Sequence, residues 1–186
     1  MGVPKFVLGR HLLAAATPGG GLSSNLLVNP NGSFQSAPWT PGNLGAETGG
    51  QTDPLSGTSA VSEADTAANT THLIQQSQTS FFGAGHKYFV TVYFKPGTYT
   101  GGMICTLDNQ NCQVSVTNTG TAAIVLGSPT NVNSVGVANG WFKLTFNWTG
   151  LGGIFFNLYF GTSVAAYVGS GQTNLWWGLS IQEVLP

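Results

Sequence analysis

Charged side chains are scarce in this 186-residue chain: Asp, Glu, Lys and Arg together make up 6%, where a soluble globular protein carries about 25%. Solubility must rest on Asn, Gln, Ser, Thr and Gly instead. A surface with so few ions repels its own kind weakly, which favours permanent neighbours. Arg10 is the sole arginine among five basic residues and the net charge is -1, so the basic footprint of a nucleic-acid binder is missing. Apolar runs approaching the roughly 20 residues that span a bilayer are also missing, each candidate being interrupted by Gly, Asn or Thr. Neither nucleic acid nor an integral membrane position is expected.

Cysteine is nearly absent. Cys105 and Cys112 flank TLDNQN, which reads as a turn between two strands, so a disulfide across a hairpin is one reading. A core of this size needs no staple, and two small apolar residues are the favoured one. His11, His72 and His86 lack ligand-like spacing, so no metal site is expected. Glycoside hydrolysis needs two carboxylates facing each other across a cleft. Of the six acidic residues, Glu63 and Asp65 are the only close pair, and their polar surroundings suggest a solvated pair in a loop. There is no G-x-S-x-G elbow, and PGGG lacks the Lys and Ser or Thr of a phosphate-binding loop. No cofactor and no enzymatic activity are expected. Asn-x-Ser/Thr triplets at Asn31, Asn69 and Asn147 are what a chain rich in Asn and Thr produces by chance.

What the chain does contain begins with an apolar N-terminal arm, residues 1–21, which ends in a glycine hinge. The arm imitates a signal peptide, but its apolar run is short and broken by Arg10 and His11, and Phe6 stands where a myristoylation motif needs Ser or Thr. Val3, Phe6, Val7, Leu8, Leu12 and Leu13 make it apolar enough to need a partner. Residues 22–186 form the body. There HKYFVTVYFKPG, WFKLTFNW and IFFNLYF alternate apolar and polar side chains as half-buried strands do, with Val90, Val92 and Phe94 on one face of the first and Phe89, Thr91, Tyr93 and Lys95 on the other. THLIQQSQ, CQVSVTN and TAAIVLG supply shorter candidates. The stretch 31–70, rich in Gly, Pro, Ser and Thr, reads as mostly loop, with SEADTAAN as its one weak helical turn. Eight to ten short strands between Gly, Asn and Pro turns predict an all-β fold, a single jelly-roll β-sandwich preceded by the arm.

In NLWWGLSIQE, unbroken alternation places Trp177, Leu179 and Ile181 toward the core and Trp176, Gly178 and Ser180 on the opposite face. Trp176 is then a contact ring for a glycan or for a neighbouring subunit, with Tyr159 and Trp39 as companions, and Gly178 leaves room for a ring or a backbone beside it.

Four stretches, NLLVNPNGSFQSAPWT, YFVTVYFKPG, VGVANGWFKLTF and LWWGLSIQE, resemble in this order a galactose-binding-like jelly-roll module of tailed-bacteriophage virion proteins, related to carbohydrate-binding modules. The resemblance implies a non-enzymatic virion protein. Its leading form is a capsid decoration (cement) protein, anchored through the arm to the major capsid protein or to sibling subunits, in a homo-oligomer that decoration proteins often build as a trimer. The alternative is a glycan-binding module of a head or tail fibre that meets a host-surface glycan. Related sandwiches often hold a calcium ion through backbone carbonyls, which leave no mark in a sequence.

Overall fold

The computed structural model describes residues 21–31, 33–78 and 81–186. Among them the secondary structure is fourteen strands and one short 3-10 turn (Ala138–Gly140). Two six-stranded antiparallel sheets face each other as a jelly-roll sandwich. The back sheet runs β1 (Trp39–Gly42), β5 (Leu73–Ser77), β12 (Phe155–Phe160), β7 (Met103–Leu107), β8 (Cys112–Val116), β9 (Ala122–Leu126). The front sheet runs β10 (Thr130–Gly136), β11 (Phe142–Thr149), β6 (Lys87–Pro96), β14 (Thr173–Glu183), β3 (Ala60–Ala64), β2 (Thr48–Gln51). A small ribbon pairs β4 (Asn69–Thr70) with β13 (Tyr167–Val168).

The period-two pattern decides which side chains fill the space between the sheets. Val90, Val92 and Phe94 of β6 and Leu144, Phe146 and Trp148 of β11 meet Cys105, Leu107, Val114, Phe156 and Leu158 from the back sheet. Burying each of the larger of these contributes about 1.5–3 kcal/mol. Both cysteines belong to this core as free thiols. Cys105 lies opposite Val114 and Cys112 opposite Leu107, and burial pushes the Cys112 thiol up to about 12. The apolar arm residues Val3, Phe6, Val7, Leu8, Leu12 and Leu13 lie outside the described residues.

Most of the described residues between 31 and 70 are loop, as expected, but four short strands, β1 to β4, interrupt it. Ser62 to Ala64 of SEADTAAN extend in β3 rather than form a helical turn. Propensity hides β3, because Ser and Glu are poor strand formers. Its partner creates it: Val61 lies opposite Trp176 and Ser62 opposite Leu175, so β3 completes a sheet already built by β6 and β14.

Glu63 and Asp65 are buried rather than solvated. Asp65 accepts hydrogen bonds from the Tyr167 hydroxyl and from the Ser170 and Gln172 amides, tying down the loop after β13. Asp108 plays the same part between the sheets. In the β7–β8 turn Asp108, Asn109 and Gln110 are all left-handed, with φ of 58°, 57° and 70°, a costly run for non-glycine residues. The buried Asp108 carboxylate offsets that cost by accepting from Trp148 Nε1 and the amides of Leu151 and Gly153. Three of the six carboxylates, Asp53 being the third, therefore satisfy loop donors that would otherwise be stranded.

Candidate functional site

The tandem tryptophans point opposite to the alternation expected from the sequence. Along the β14–β6 pairing, Trp176 lies opposite Phe94, Trp177 opposite Tyr93, and then Ser180 opposite Thr91. Gly178 and Leu179 together face the single residue Val92, which makes a β-bulge. Gly178 adopts φ of 58°, a conformation glycine takes without penalty. The extra residue inverts the inside-outside order, so Asn174 and Trp176 face in before it and Leu179 and Ile181 after it. Asn31 Oδ1 accepts from the Gly178 amide, while the Asn25 side chain accepts from Ile181 N and donates to Leu179 O. The NLLVNPN stretch and the tryptophan stretch thus form one local structure.

All three rings proposed as contacts are in fact buried. Trp176 is 1% exposed and packs against Phe94 and Phe160. Trp39, 3% exposed, meets Phe34 and Phe156 edge to face and donates from Nε1 to Asn29 O. Tyr159 points away from the core but is only 5% exposed; on that face of the back sheet Gln75, Asn157 and Thr106 form a hydrogen-bonded row across three strands, and Thr106 and Asn157 are buried too. No ring on the back sheet is offered to a ligand by these residues.

The outer face of the front sheet is different. Register aligns Trp177 with Tyr93, Tyr93 with Lys143, and Lys143 with Val135, one row across four strands. The Trp177 and Tyr93 rings are both half-buried and meet edge to face at 5.0 Å and 76°. Tyr93 leans into the space above Gly178, where a Cβ would stand 2.8 Å from its ring. The glycine of the bulge therefore seats the aromatic pair, the use that a missing side chain beside a tryptophan suggested. Lys143 Nζ lies 5.7 Å from the Tyr93 centroid on its other side, within cation–π reach. The next row holds Ser180, Thr91, Thr145 and Asn133, and the one after it Gln182, Phe89 and Asn147. Two rings thus border a field of hydroxyl and amide side chains.

The loop between β2 and β3, residues 52–59, forms a rim on this face. Trp177 Nε1 donates to Ser59 Oγ at 2.8 Å and Trp141 Nε1 to Thr52 O at 3.0 Å, so the loop is pinned at both ends by tryptophans of the same face. Inside it the Asp53 carboxylate accepts from the Ser59 hydroxyl and the Leu55 and Gly57 amides. The Ser59 hydroxyl, followed by those amides, holds the Asp53 carboxyl below its ordinary value against the opposing effect of burial. Leu55 caps the loop, 77% exposed. Among the described residues no cluster of three or more metal-ligating side chains occurs. The rings of this face can stack on a ligand and its hydroxyl and amide side chains can hydrogen-bond one.

Strict alternation in β6 separated Tyr93 from Val90, Val92 and Phe94, but Trp177, expected in the core, was missed as its partner. The signal available was Gly178, since glycine inside a strand marks a bulge.

No protein-family model matches the chain, and no curated protein does. Among solved structures, the CBM22-1 xylan-binding domain of Paenibacillus barcinonensis Xyn10C superposes with a TM-score of 0.51 at 14% identity, covering 92% of this chain and 99% of that domain. The CBM22-1–GH10 modules of Clostridium thermocellum xylanase 10B align with a TM-score of 0.43 at 13% identity, over 80% of this chain and 26% of theirs. What the chain shares with the xylan-binding domain is the fold, a jelly-roll β-sandwich.

Proposed function

We propose that this protein is a non-catalytic glycan-binding module whose ligand lies on the front-sheet face of Trp177 and Tyr93. One observation carries the assignment: two outward, half-buried rings stand side by side and are flanked by rows of hydroxyl and amide side chains. The C–H faces of a sugar stack on aromatic rings while its hydroxyls take up such donors and acceptors. The sandwich shared with a xylan-binding domain supports this reading, although one fold hosts many functions and the site must carry the argument. On a glycan array the native chain binds a defined set of sugars, and Trp177→Ala removes the signal while the variant still folds and unfolds in one cooperative thermal transition. An array without hits, or a Trp177→Ala variant that binds as well as the native chain, refutes the assignment.

The virion setting is a second proposal, favoured by the four ordered sequence motifs. In it the sandwich decorates a capsid or sits on a fibre, its arm engaging the major capsid protein or sibling subunits. Quantifying the chain in purified particles separates the two locations: hundreds of copies indicate capsid and a handful a fibre, while absence from particles removes the setting.

A further inference from the structure

The face that carries Trp177 and Tyr93 also holds the sandwich's positive charge. Two of the five basic residues, Lys5 and Arg10, precede the sandwich, which leaves Lys87, Lys95 and Lys143. Each occupies an outward position of β6 or β11, because Tyr88, Val90, Val92 and Phe94 alternate with the first two toward the core, and Leu144 and Phe146 follow the third inward. Among the carboxylates, Asp53 alone lies in the rim of this face, hydrogen-bonded within its own loop. Asp53, Glu63, Asp65 and Asp108 are buried, Glu47 accepts from the Phe34 amide, and Glu183 pairs with His86 at 2.7 Å near the Lys87 end of β6.

Lys143 lies directly opposite Tyr93, which makes Lys95 its diagonal neighbour across the β6–β11 pairing, with backbone positions about 7–8 Å apart. The Lys95 side chain runs beside Gly140, next to the pinned rim loop. Among the described residues neither lysine forms an ion pair. The nearest acid in the rim, Asp53, has its oxygens taken up by Ser59, Leu55 and Gly57. Two unpaired ammonium groups therefore flank the aromatic row in a chain where charge is scarce everywhere else. Like charges on neighbouring positions of one face repel, and an anionic ligand lying between them turns that repulsion into attraction.

We infer that the glycan bound on this face carries carboxylates, as uronic or sialic acids do, and that Lys95 and Lys143 select it over a neutral sugar of the same shape. The inference rests on the glycan-binding proposal and names its ligand class. The full chain is applied to an array of uronate and sialoside glycans, each printed as the free acid and as its methyl ester, beside neutral xylo- and gluco-oligosaccharides. The free acids bind at least about tenfold more tightly than their esters at low ionic strength. That ratio shrinks as salt approaches ~0.5 M, where ionic screening is short-ranged, and falls toward one in the Lys95→Gln/Lys143→Gln variant. Equal binding of acid and ester, hits confined to neutral sugars, or a ratio that survives the double substitution overturns the inference while leaving glycan binding intact. An array with no hits of any kind removes the glycan-binding proposal and this inference together.

Discussion

Replacing Glu63 with Gln should make the protein more stable at pH 8 than the native chain and leave it little changed at pH 5. Glu63 faces the interior from β3, fully buried, with Gln35 Nε2 donating to one oxygen at 2.8 Å and Glu47 as its charged neighbour. Burial raises its carboxyl first and most; Gln35 opposes the rise, and Glu47 adds to it, giving about 8 against an ordinary 4.5. A carboxyl whose folded value lies above its unfolded value favours folding at low pH, where both states hold the proton. Above pH 4.5 the unfolded chain releases that proton and the folded chain keeps it, so stability falls until the pH passes about 8. Each pH unit in that window is worth about 1.4 kcal/mol, so the whole window approaches 5 kcal/mol as an upper limit, a large share of the roughly 5–15 kcal/mol that holds a domain together. Urea unfolding of both proteins at pH 5, 6.5 and 8 measures it, provided the denaturant slope is unchanged. The Gln variant keeps the shape and the partners but cannot titrate, so the stability difference between the two proteins should widen steadily with pH. A difference that stays constant from pH 5 to pH 8 would show that Glu63 is ionised in the folded state and refute the reasoning.

The two tryptophans should part company on substitution. Trp176→Ala leaves a cavity between Phe94 and Phe160 and costs about 3–5 kcal/mol in equilibrium unfolding, whereas Trp177→Ala, which removes a half-buried ring and one bond to Ser59, costs less than half as much. Gly178→Ala sets a Cβ against the Tyr93 ring at a positive φ; it should destabilise by about 1–2 kcal/mol and, by moving Tyr93, weaken glycan binding as well, both readable by calorimetry. Asp108→Ala strands Trp148 Nε1 and the Leu151 and Gly153 amides. At about 1–3 kcal/mol for each buried group left unpaired, its urea midpoint should drop further than that of any single surface substitution.

Most of the sandwich was legible because alternation is a local property. In β6, β11 and β12 the residues that face the core are the ones that period two selects, since an unbroken strand turns its side chains by half a circle per residue. The same rule failed in the first half of β14, where one inserted residue at Gly178 puts Trp176 inside and Trp177 outside, while Leu179 and Ile181 beyond it face the core as expected. A bulge is decided by which strand lies alongside and by the side chains, here Asn25 and Asn31, that reach back from far away in the chain to hold its amides and carbonyls.

The sequence by itself determined the all-β class, the position of most long strands, the apolar character of the two cysteines, and the poverty of charge that makes each remaining lysine conspicuous. Tertiary structure alone decided where the few ionic groups go. Acids that looked solvated at Glu63 and Asp65 were drawn inside, Asp65 to satisfy loop donors and Glu63 because β3 is completed by β14, while Lys95 and Lys143, far apart in the chain, became neighbours beside Tyr93. It also exchanged the roles of Trp176 and Trp177. Which of two adjacent tryptophans is buried depends on strand register, and register is a relation between distant segments that no local pattern contains.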